Sequence, residues 1–352
     1  MRRRPSRAGL PAGFGVLWTT VAIDLIGFGM VLPILPLYAK RFGASSLDAA
    51  LLVAAFSGAS FLCSPLWGRL SDRVGRKPVL LISLAGTAVG SLLTGLAGGL
   101  AVLMVARLID GASGASVSVA QAAAADLAPP EKRARLFGYL GAAFGVGFVA
   151  GPAIGGLAAA VGPRVPFFLA AGVAGINALV AIRRLPETRH RHPPARHGTR
   201  IDAVTGALIG VSFCALVAFS GFEATFALFG HHRLGLGLGS AAGVFAAAGL
   251  VIVIVQGGLV APVVARCGET ATLVTGLVAN ATGLALLSGA RTWALAVPAL
   301  LVLTAGQGLV QTTMASVLAG RAGPRHRGQL LGLQQSAGGL ARIAGPALGG
   351  AL

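Results

Sequence analysis

Five ionisable side chains lie inside long apolar stretches of the sequence: Asp24, Arg107, Asp110, Glu223 and Arg342, the last without a partner predictable from sequence. On insertion scales, a charged group at the centre of a bilayer costs roughly 2.5–3.5 kcal/mol, so each of these needs a function or a partner. A carboxylate withdrawn from water can load and release a proton near neutral pH, whereas an arginine stays charged and changes how readily a nearby carboxylate ionises. These residue types therefore indicate proton-coupling chemistry within a membrane.

Each residue also has a simpler interpretation. Asp24 is predicted to carry a proton while facing a central water-filled cavity; alternatively, a neighbouring helix satisfies its carboxylate and it serves packing alone. Arg107 and Asp110 are three residues apart and so share a helix face, where they form either a proton switch with Asp24 or a static pair. Glu223 lies toward the outer end of its stretch, where it contacts a cationic substrate or a proton, or is an ordinary interfacial carboxylate.

Uncharged polar side chains recur in the same apolar stretches. Their amides can hydrogen-bond a substrate or another helix, and helix-to-helix bonding is the commoner role for any one of them. The candidates for lining a substrate cavity are Gln121, Gln256, Asn280, Gln307 and Gln311.

The elements that position these groups are predicted to be membrane-spanning helices. The 352 residues are 55% hydrophobic and only 11% charged, and the mean hydropathy is +0.82. An all-α polytopic membrane protein follows from this composition and from spans of about 20 apolar residues. Eleven spans are predicted, at residues 14–38, 47–67, 78–97, 100–122, 135–160, 165–184, 203–229, 240–265, 271–289, 293–318 and 328–352.

The distribution of positive charge predicts the orientation. With the N-terminus in the cytoplasm, 21 of the 28 Lys and Arg residues fall in cytoplasmic segments and 5 in outer loops. This bias identifies a multi-pass protein of the plasma or inner membrane and accounts for the net charge of +18, so no nucleic-acid partner is expected. The three cysteines are predicted to be small apolar fillers rather than a disulfide set or a metal site.

A dense group of charges separates the second and third spans. Four cations and one carboxylate occur between Gly68 and Pro78, so this run is predicted to be a tight cytoplasmic turn. Its charges either fix the topology alone or act as a latch that favours the outward-open state. In the second case Asp72 would cap the third helix or pair with Arg76, and the cations would hold carbonyl ends of helices or carboxylates such as Asp126 or Glu131.

An internal repeat divides the chain. The segment from Arg133 to Gly156 returns 194 residues later as Arg327 to Gly350, so the eleventh span is a copy of the fifth. Parallel repeats joined by a polar loop predict two helical bundles, residues 1–185 and 203–352, with a cytoplasmic linker at 186–202. The same offset would return the sixth span at about residues 359–378, so a twelfth helix is missing and five helices are present in the second bundle.

The fifth span carries glycines every four residues, Gly147, Gly151 and Gly155, with Pro152 and Gly156 beside them. Small residues on one face allow a neighbouring backbone to approach closely, and the proline allows a bend. We expect a bendable contact between the halves that serves alternating access; ordinary helix packing is the alternative.

Together these motifs resemble those of the major facilitator superfamily, in particular its drug:proton antiporter group, which includes the tetracycline exporters. The run 68–77 fits the pattern G-x-x-x-D-[RK]-x-G-R-[RK]. The fifth-span glycines with Pro152 are similar to the antiporter motif, and residues 24–36 resemble the first helix of tetracycline exporters. The matching positions of the first pattern are Gly68, Asp72, Arg73, Gly75, Arg76 and Lys77.

The resemblance implies an architecture of two six-helix bundles, here without the last helix, and a function. We expect a secondary transporter, not an enzyme, that exports small amphipathic or drug-like molecules by alternating access. It would use the proton gradient without a cofactor or metal and act as a monomer in the lipid bilayer. The tetracycline exporters carry acids where this chain has Gly90 and Asn280, which makes tetracycline a doubtful substrate. A metabolite importer or uniporter and a truncated, non-transporting relative are the alternatives.

Overall fold

The computed structural model describes residues 10–31, 33–188, 202–235, 238–323 and 325–351, and these form helices without strands. Most of the predicted linker, residues 189–201, lies outside the described residues. The helices are α1 (Phe14–Val31), α2 (Leu35–Lys40), α3 (Ser46–Val74), α4 (Arg76–Leu96), α5 (Leu100–Ala112), α6 (Ser116–Leu127), α7 (Pro130–Val161), α8 (Val165–Arg184), α9 (Ala203–Leu234), α10 (Leu238–Ile254), α11 (Val260–Ser288), α12 (Trp293–Arg321) and α13 (Arg327–Ala351), with a π-helical turn at Val255–Leu259 between α10 and α11.

Nine of the described helical segments are long and apolar enough to cross a membrane. The difference from the eleven predicted spans has two sources. The eighth and ninth spans form one continuous segment, 246–288, that bends at Gly268, whose φ of 82° is non-helical. The eleventh span is present as α13, but its arginines, glutamines and glycines make it less apolar than the others.

Two predicted spans are broken. The first divides into α1 and α2 around Pro33, since proline donates no backbone hydrogen bond and its ring displaces the preceding turn. The fourth divides into α5 and α6 at residues 113–115, where the Ser83 hydroxyl donates to the Ser113 carbonyl at 2.5 Å and accepts from the amide of Ala115 at 3.3 Å. A side chain of α4 thus satisfies the backbone groups that the break releases.

We call α1–α8 the first half and α9–α13 the second half. The two helices that carry the repeated segment pack in the same way: α7 lies on α1 in the first half, and α13 lies on α9 in the second half. Between the halves, α13 packs along α3, and α7 packs on α10 and α12. Large apolar side chains such as Leu157, Leu179 and Leu37 are exposed on the outside, as expected for a surface that meets lipid.

Candidate functional site: a central cavity and a closed inner end

A cavity of about 290 Å³ lies between the two halves. Its walls come from α1, α6 and α7 of the first half and from α9, α10, the π-turn, α12 and α13 of the second. Most of the described lining is apolar and aromatic. The phenylalanines are Phe137, Phe144, Phe148, Phe219 and Phe222.

Amide side chains supply the neutral polar groups of this cavity. Three predicted candidates, Gln121, Gln256 and Gln311, line it. The other two do not: the amide of Asn280 donates to the side-chain oxygen of Gln307 at 2.6 Å, and both are buried between α11 and α12. The repeat contributes further amides, Gln334 and Gln335 on α13, that the sequence prediction did not include.

The two ionisable side chains of the described lining are Glu223 on α9 and Arg342 on α13. Both lie deep in the protein, yet both are exposed to the cavity. Their charges interact. The Arg342 guanidinium also lies over the ring of Phe144, 6.0 Å from its centroid, and so reaches across to the first half. Arg342 had no partner predictable from sequence, because its neighbours come from α7 and α9.

Asp24 lies away from this cavity, in contrast to its predicted position. Val21 and Leu25 of α1 line the cavity, whereas the Asp24 carboxylate is 7% exposed and turns toward α6. The Ser116 hydroxyl donates to one carboxylate oxygen at 2.7 Å, and the other oxygen has no partner among the described residues. The first residue of α6 therefore holds a half-satisfied carboxylate inside the first half.

Arg107 and Asp110 form an ion pair at 3.1 Å, and both side chains are buried. Arg107 also donates to the Thr94 hydroxyl at 3.2 Å. Asp110 and Asp24 are close enough within the first half for two negative charges there to repel each other. At Gly90, a Cβ would lie 2.9 Å from the Cβ of Asp110, so a larger side chain would require this contact between α4 and α5 to shift.

The glycines of the fifth span pack within the first half, so the expected contact between the halves is wrong for Gly147, Gly151 and Gly155. A Cβ on Gly151 would lie 2.6 Å from the Cα of Gly29 on α1, and one on Gly155 would lie 2.7 Å from the Met30 carbonyl oxygen. Pro152 and Gly156 of this motif are exposed.

A second set of glycines on α7 does face the other half. Cβ atoms added at Gly138, Gly141 and Gly145 would collide with Gln256 and Val253. The nine residues from position 138 to position 147 rotate the helix by about 180° at 100° per residue, so the two glycine sets lie on opposite faces. The helical period could have revealed this from the sequence.

The charged run after the second span is mostly helical rather than a turn. Helix α3 continues through Val74, and Gly75 alone, with φ of 113°, turns the chain into α4 at Arg76. Charged residues can extend a helix beyond the bilayer because its backbone bonds remain intact in water. Arg73 is exposed and Lys77 is half-buried at the start of α4.

Asp72 joins the two halves. Its carboxylate accepts hydrogen bonds from the backbone amides of Gly328 at 3.0 Å and Gln329 at 2.8 Å, and it pairs with Arg76 at 2.7 Å. It therefore caps the start of α13, and not the third span as the sequence suggested, because an anion is favoured at a helix N-terminus. Gly68 allows this contact, since a Cβ there would collide with the Gly328 carbonyl.

Asp126 extends this network from the end of α6. It pairs with Arg76 at 2.9 Å through one oxygen and with Arg327 of α13 at 2.9 Å through the other. The Arg76–Asp126 pair was predicted as one possibility, whereas Arg327 was not. Carboxylates of the first half thus hold the end of α13 twice, which closes the protein at the end that carries residues 68–76.

Glu187 is a further site residue that sequence reasoning missed. It follows α8, and its two carboxylate oxygens accept the backbone amides of Arg76 at 2.9 Å and Lys77 at 3.1 Å. Glu187, rather than Asp72, therefore caps α4. Glu187 and Arg76 are 111 residues apart in the sequence, so no local sequence pattern could predict this contact.

Comparison with known proteins agrees with this geometry. The family model of the Major Facilitator Superfamily matches residues 17–346. The chain belongs to that superfamily. Among curated relatives, the class G tetracycline resistance protein of Vibrio anguillarum is 34% identical over 93% of this chain and 86% of its own length. The class C protein of Escherichia coli is 32% identical over 94% of this chain and 87% of its own length.

Multidrug relatives of the superfamily match along the same extent. Multidrug resistance protein 2 of Bacillus subtilis is 29% identical over 96% of this chain and 88% of its own length. Among solved structures, the human organic anion transporter MFSD10 superposes with a TM-score of 0.85 at 26% identity, covering 96% of this chain and 92% of that one. The transporter FucP in its outward conformation, at 17% identity and a TM-score of 0.78, shows the fold alone; it covers 96% of this chain and 90% of its own.

Proposed function

We propose that this protein exports small amphipathic, drug-like compounds from the cytoplasm in exchange for protons, by alternating access. It is a secondary transporter of the Major Facilitator Superfamily in the cell membrane, and its relatives are named for resistance to tetracycline, quinolones and multiple drugs. The observation that carries the proposal is the aromatic cavity between two halves that are held together at one end by Asp72, Asp126 and their partners in α13.

The proton-coupling residues of this proposal are Asp24, Arg107 and Asp110. All three are buried in the first half, and Asp24 retains one oxygen without a partner among the described residues. A buried carboxylate beside the Arg107–Asp110 pair gains or loses its proton when that pair moves. The N-terminus lies in the cytoplasm, the protein acts as a monomer, and the proton gradient supplies the energy without a cofactor.

Efflux from proteoliposomes with an imposed pH gradient tests this function. We expect accumulation of a fluorescent quinolone on the acidic side in proportion to the gradient, and loss of that dependence in Asp24→Asn. Asp48→Asn is the matched control, because Asp48 takes part in the capping box at the start of α3, where its side chain accepts from Ser45 and asparagine keeps an acceptor oxygen. Transport that ignores the gradient, or that Asp24→Asn leaves unchanged, would exclude proton coupling through this carboxylate.

A further inference from the structure

The charges of the central cavity are distributed unequally between its walls. Among the described residues that line it, the first half contributes three phenylalanines and one amide, whereas both ionisable groups, Glu223 and Arg342, come from the second half together with the other amides. Helices α9 and α13, which carry them, are in backbone contact nearby: a Cβ on Gly345 would lie 2.7 Å from the Val217 carbonyl oxygen. The two charges are thus held on one rigid wall, opposite the phenylalanines of α7.

Neither charge is satisfied by the protein. In the part of the chain that the structure describes, Glu223 has no hydrogen bond or ion pair, and Arg342 has only the face contact with Phe144. Their charges interact, but no direct ion pair joins them. Charged groups inside a membrane protein normally pair with one another or with backbone carbonyls, because unpaired charge is costly there. Both side chains are exposed to the cavity, so water solvates them when it is empty, and a bound ligand can supply a closer counter-charge to each.

The geometry around Arg342 favours a carboxylate. The ring of Phe144 covers one face of the guanidinium, which leaves the N–H groups at its edge for an acceptor. Arginine binds carboxylates through two parallel N–H···O bonds, which are charge-assisted and directional. Glu223 in turn accepts hydrogen bonds from an ammonium group. A compound with only a positive charge would be repelled by Arg342, and one with only a negative charge would be repelled by Glu223.

We propose that the cavity selects aromatic compounds that carry a carboxylate and an amine on one body, with Arg342 binding the carboxylate and Glu223 binding the amine. The phenylalanines stack on the aromatic body, and the amides of Gln334 and Gln335 bond its neutral polar groups. This inference rests on the proposed export function and specifies its substrate class. It makes Arg342 and Glu223 specificity-determining residues, separate from the Asp24 group inside the first half.

Three probes with one aromatic body test the proposal: ciprofloxacin, its ethyl ester and its N-acetyl derivative. The parent carries both charges, the ester keeps the amine alone, and the N-acetyl compound keeps the carboxylate alone. We expect the purified full-length protein in detergent to bind the parent about tenfold or more tightly than either derivative, since a hydrogen bond to a charged group contributes that much. Quinolone fluorescence anisotropy measures each dissociation constant.

Variants then assign each charge. Arg342→Gln should abolish the preference for the parent over the ester and leave its preference over the N-acetyl compound; Glu223→Gln should do the reverse. Arg291→Gln and Glu131→Gln are matched controls on exposed residues outside the cavity and should change neither ratio. A smaller fraction of active protein would lower binding of all three probes equally, so it cannot change the ratios of their affinities. Arg342→Lys keeps a positive charge and should restore part of the preference for the parent over the ester.

Equal binding of the three probes by the unmodified protein would overturn the proposal without any variant. A preference that survives both Arg342→Gln and Glu223→Gln would overturn it as well. A different result, transport that does not depend on the pH gradient, would reject the proposed export function. Selective binding without gradient-driven efflux would therefore sustain the cavity assignment and reject the export function, and gradient-driven efflux without selectivity would do the opposite.

Discussion

Replacing Asp72 by asparagine should open the inner end of the protein. The carboxylate accepts the amides of Gly328 and Gln329 at 3.0 and 2.8 Å, and these bonds join the first half to the start of α13. Charge-assisted hydrogen bonds contribute about 1.5–3 kcal/mol each and are roughly twice as strong as neutral ones. Gly328 and Gln329 donate to different oxygens of the carboxylate, so asparagine keeps one acceptor without the charge and sets an N–H group against the other amide; we expect a loss of about 2 kcal/mol in total.

A change of about 2 kcal/mol corresponds to a roughly thirtyfold shift in the population of the open state. The pair between Asp126 and Arg327 remains, so the inner end is destabilised and not abolished. The shift can be measured through a cysteine at Ser64, which is 1% exposed and lies against Gly332 of α13. In a background where Cys63, Cys214 and Cys267 are serine, maleimide labelling at position 64 should accelerate by about the same factor.

The matched control for Asp72→Asn is Glu131→Gln, which removes an exposed carboxylate from the same end of the protein. It should leave the labelling rate unchanged. If Asp72→Asn leaves both the labelling rate and the transport rate unchanged, the cap on α13 has no conformational role. If Glu131→Gln accelerates labelling equally, the general surface charge, and not the hydrogen-bonded cap, controls the opening.

Two further predictions concern packing and capping. Gly151→Ala should destabilise the protein by about 1–3 kcal/mol, since its Cβ would lie 2.6 Å from the Cα of Gly29. Gly156→Ala is the control and should not destabilise the protein, because the space around Gly156 is open. Equal melting temperatures of the two variants would contradict the packing argument. Glu187→Gln should lower the stability of the first half by about 1 kcal/mol, because two backbone amides of α4 lose a charged acceptor. Thermal unfolding of the purified protein measures it, and a melting temperature unchanged from that of the unmodified protein would show that the Glu187 cap is energetically neutral.

Much of the fold could be predicted from the amino-acid composition and from the internal sequence repeat. Apolar stretches of span length predicted the helices, and the repeat at an offset of 194 residues predicted that α13 copies α7, which the structure matches in the packing of α7 on α1 and of α13 on α9. These features are local or strictly periodic, so they are visible in one sequence. The superfamily motifs also indicated the class of transporter correctly.

The partners of the charged residues were decided only by the tertiary structure. Asp72 was expected to cap the nearest helix or to pair with Arg76. It forms that pair, but it caps α13, 256 residues further along the chain, and Glu187 caps α4 instead. Likewise, Asp24 was expected in the cavity, whereas Glu223 and Arg342 are the charges that line it. A sequence specifies which side chains are charged and which helix carries them. Which face meets which neighbour depends on helix rotation and on contacts between distant segments, and these are determined when the helices pack.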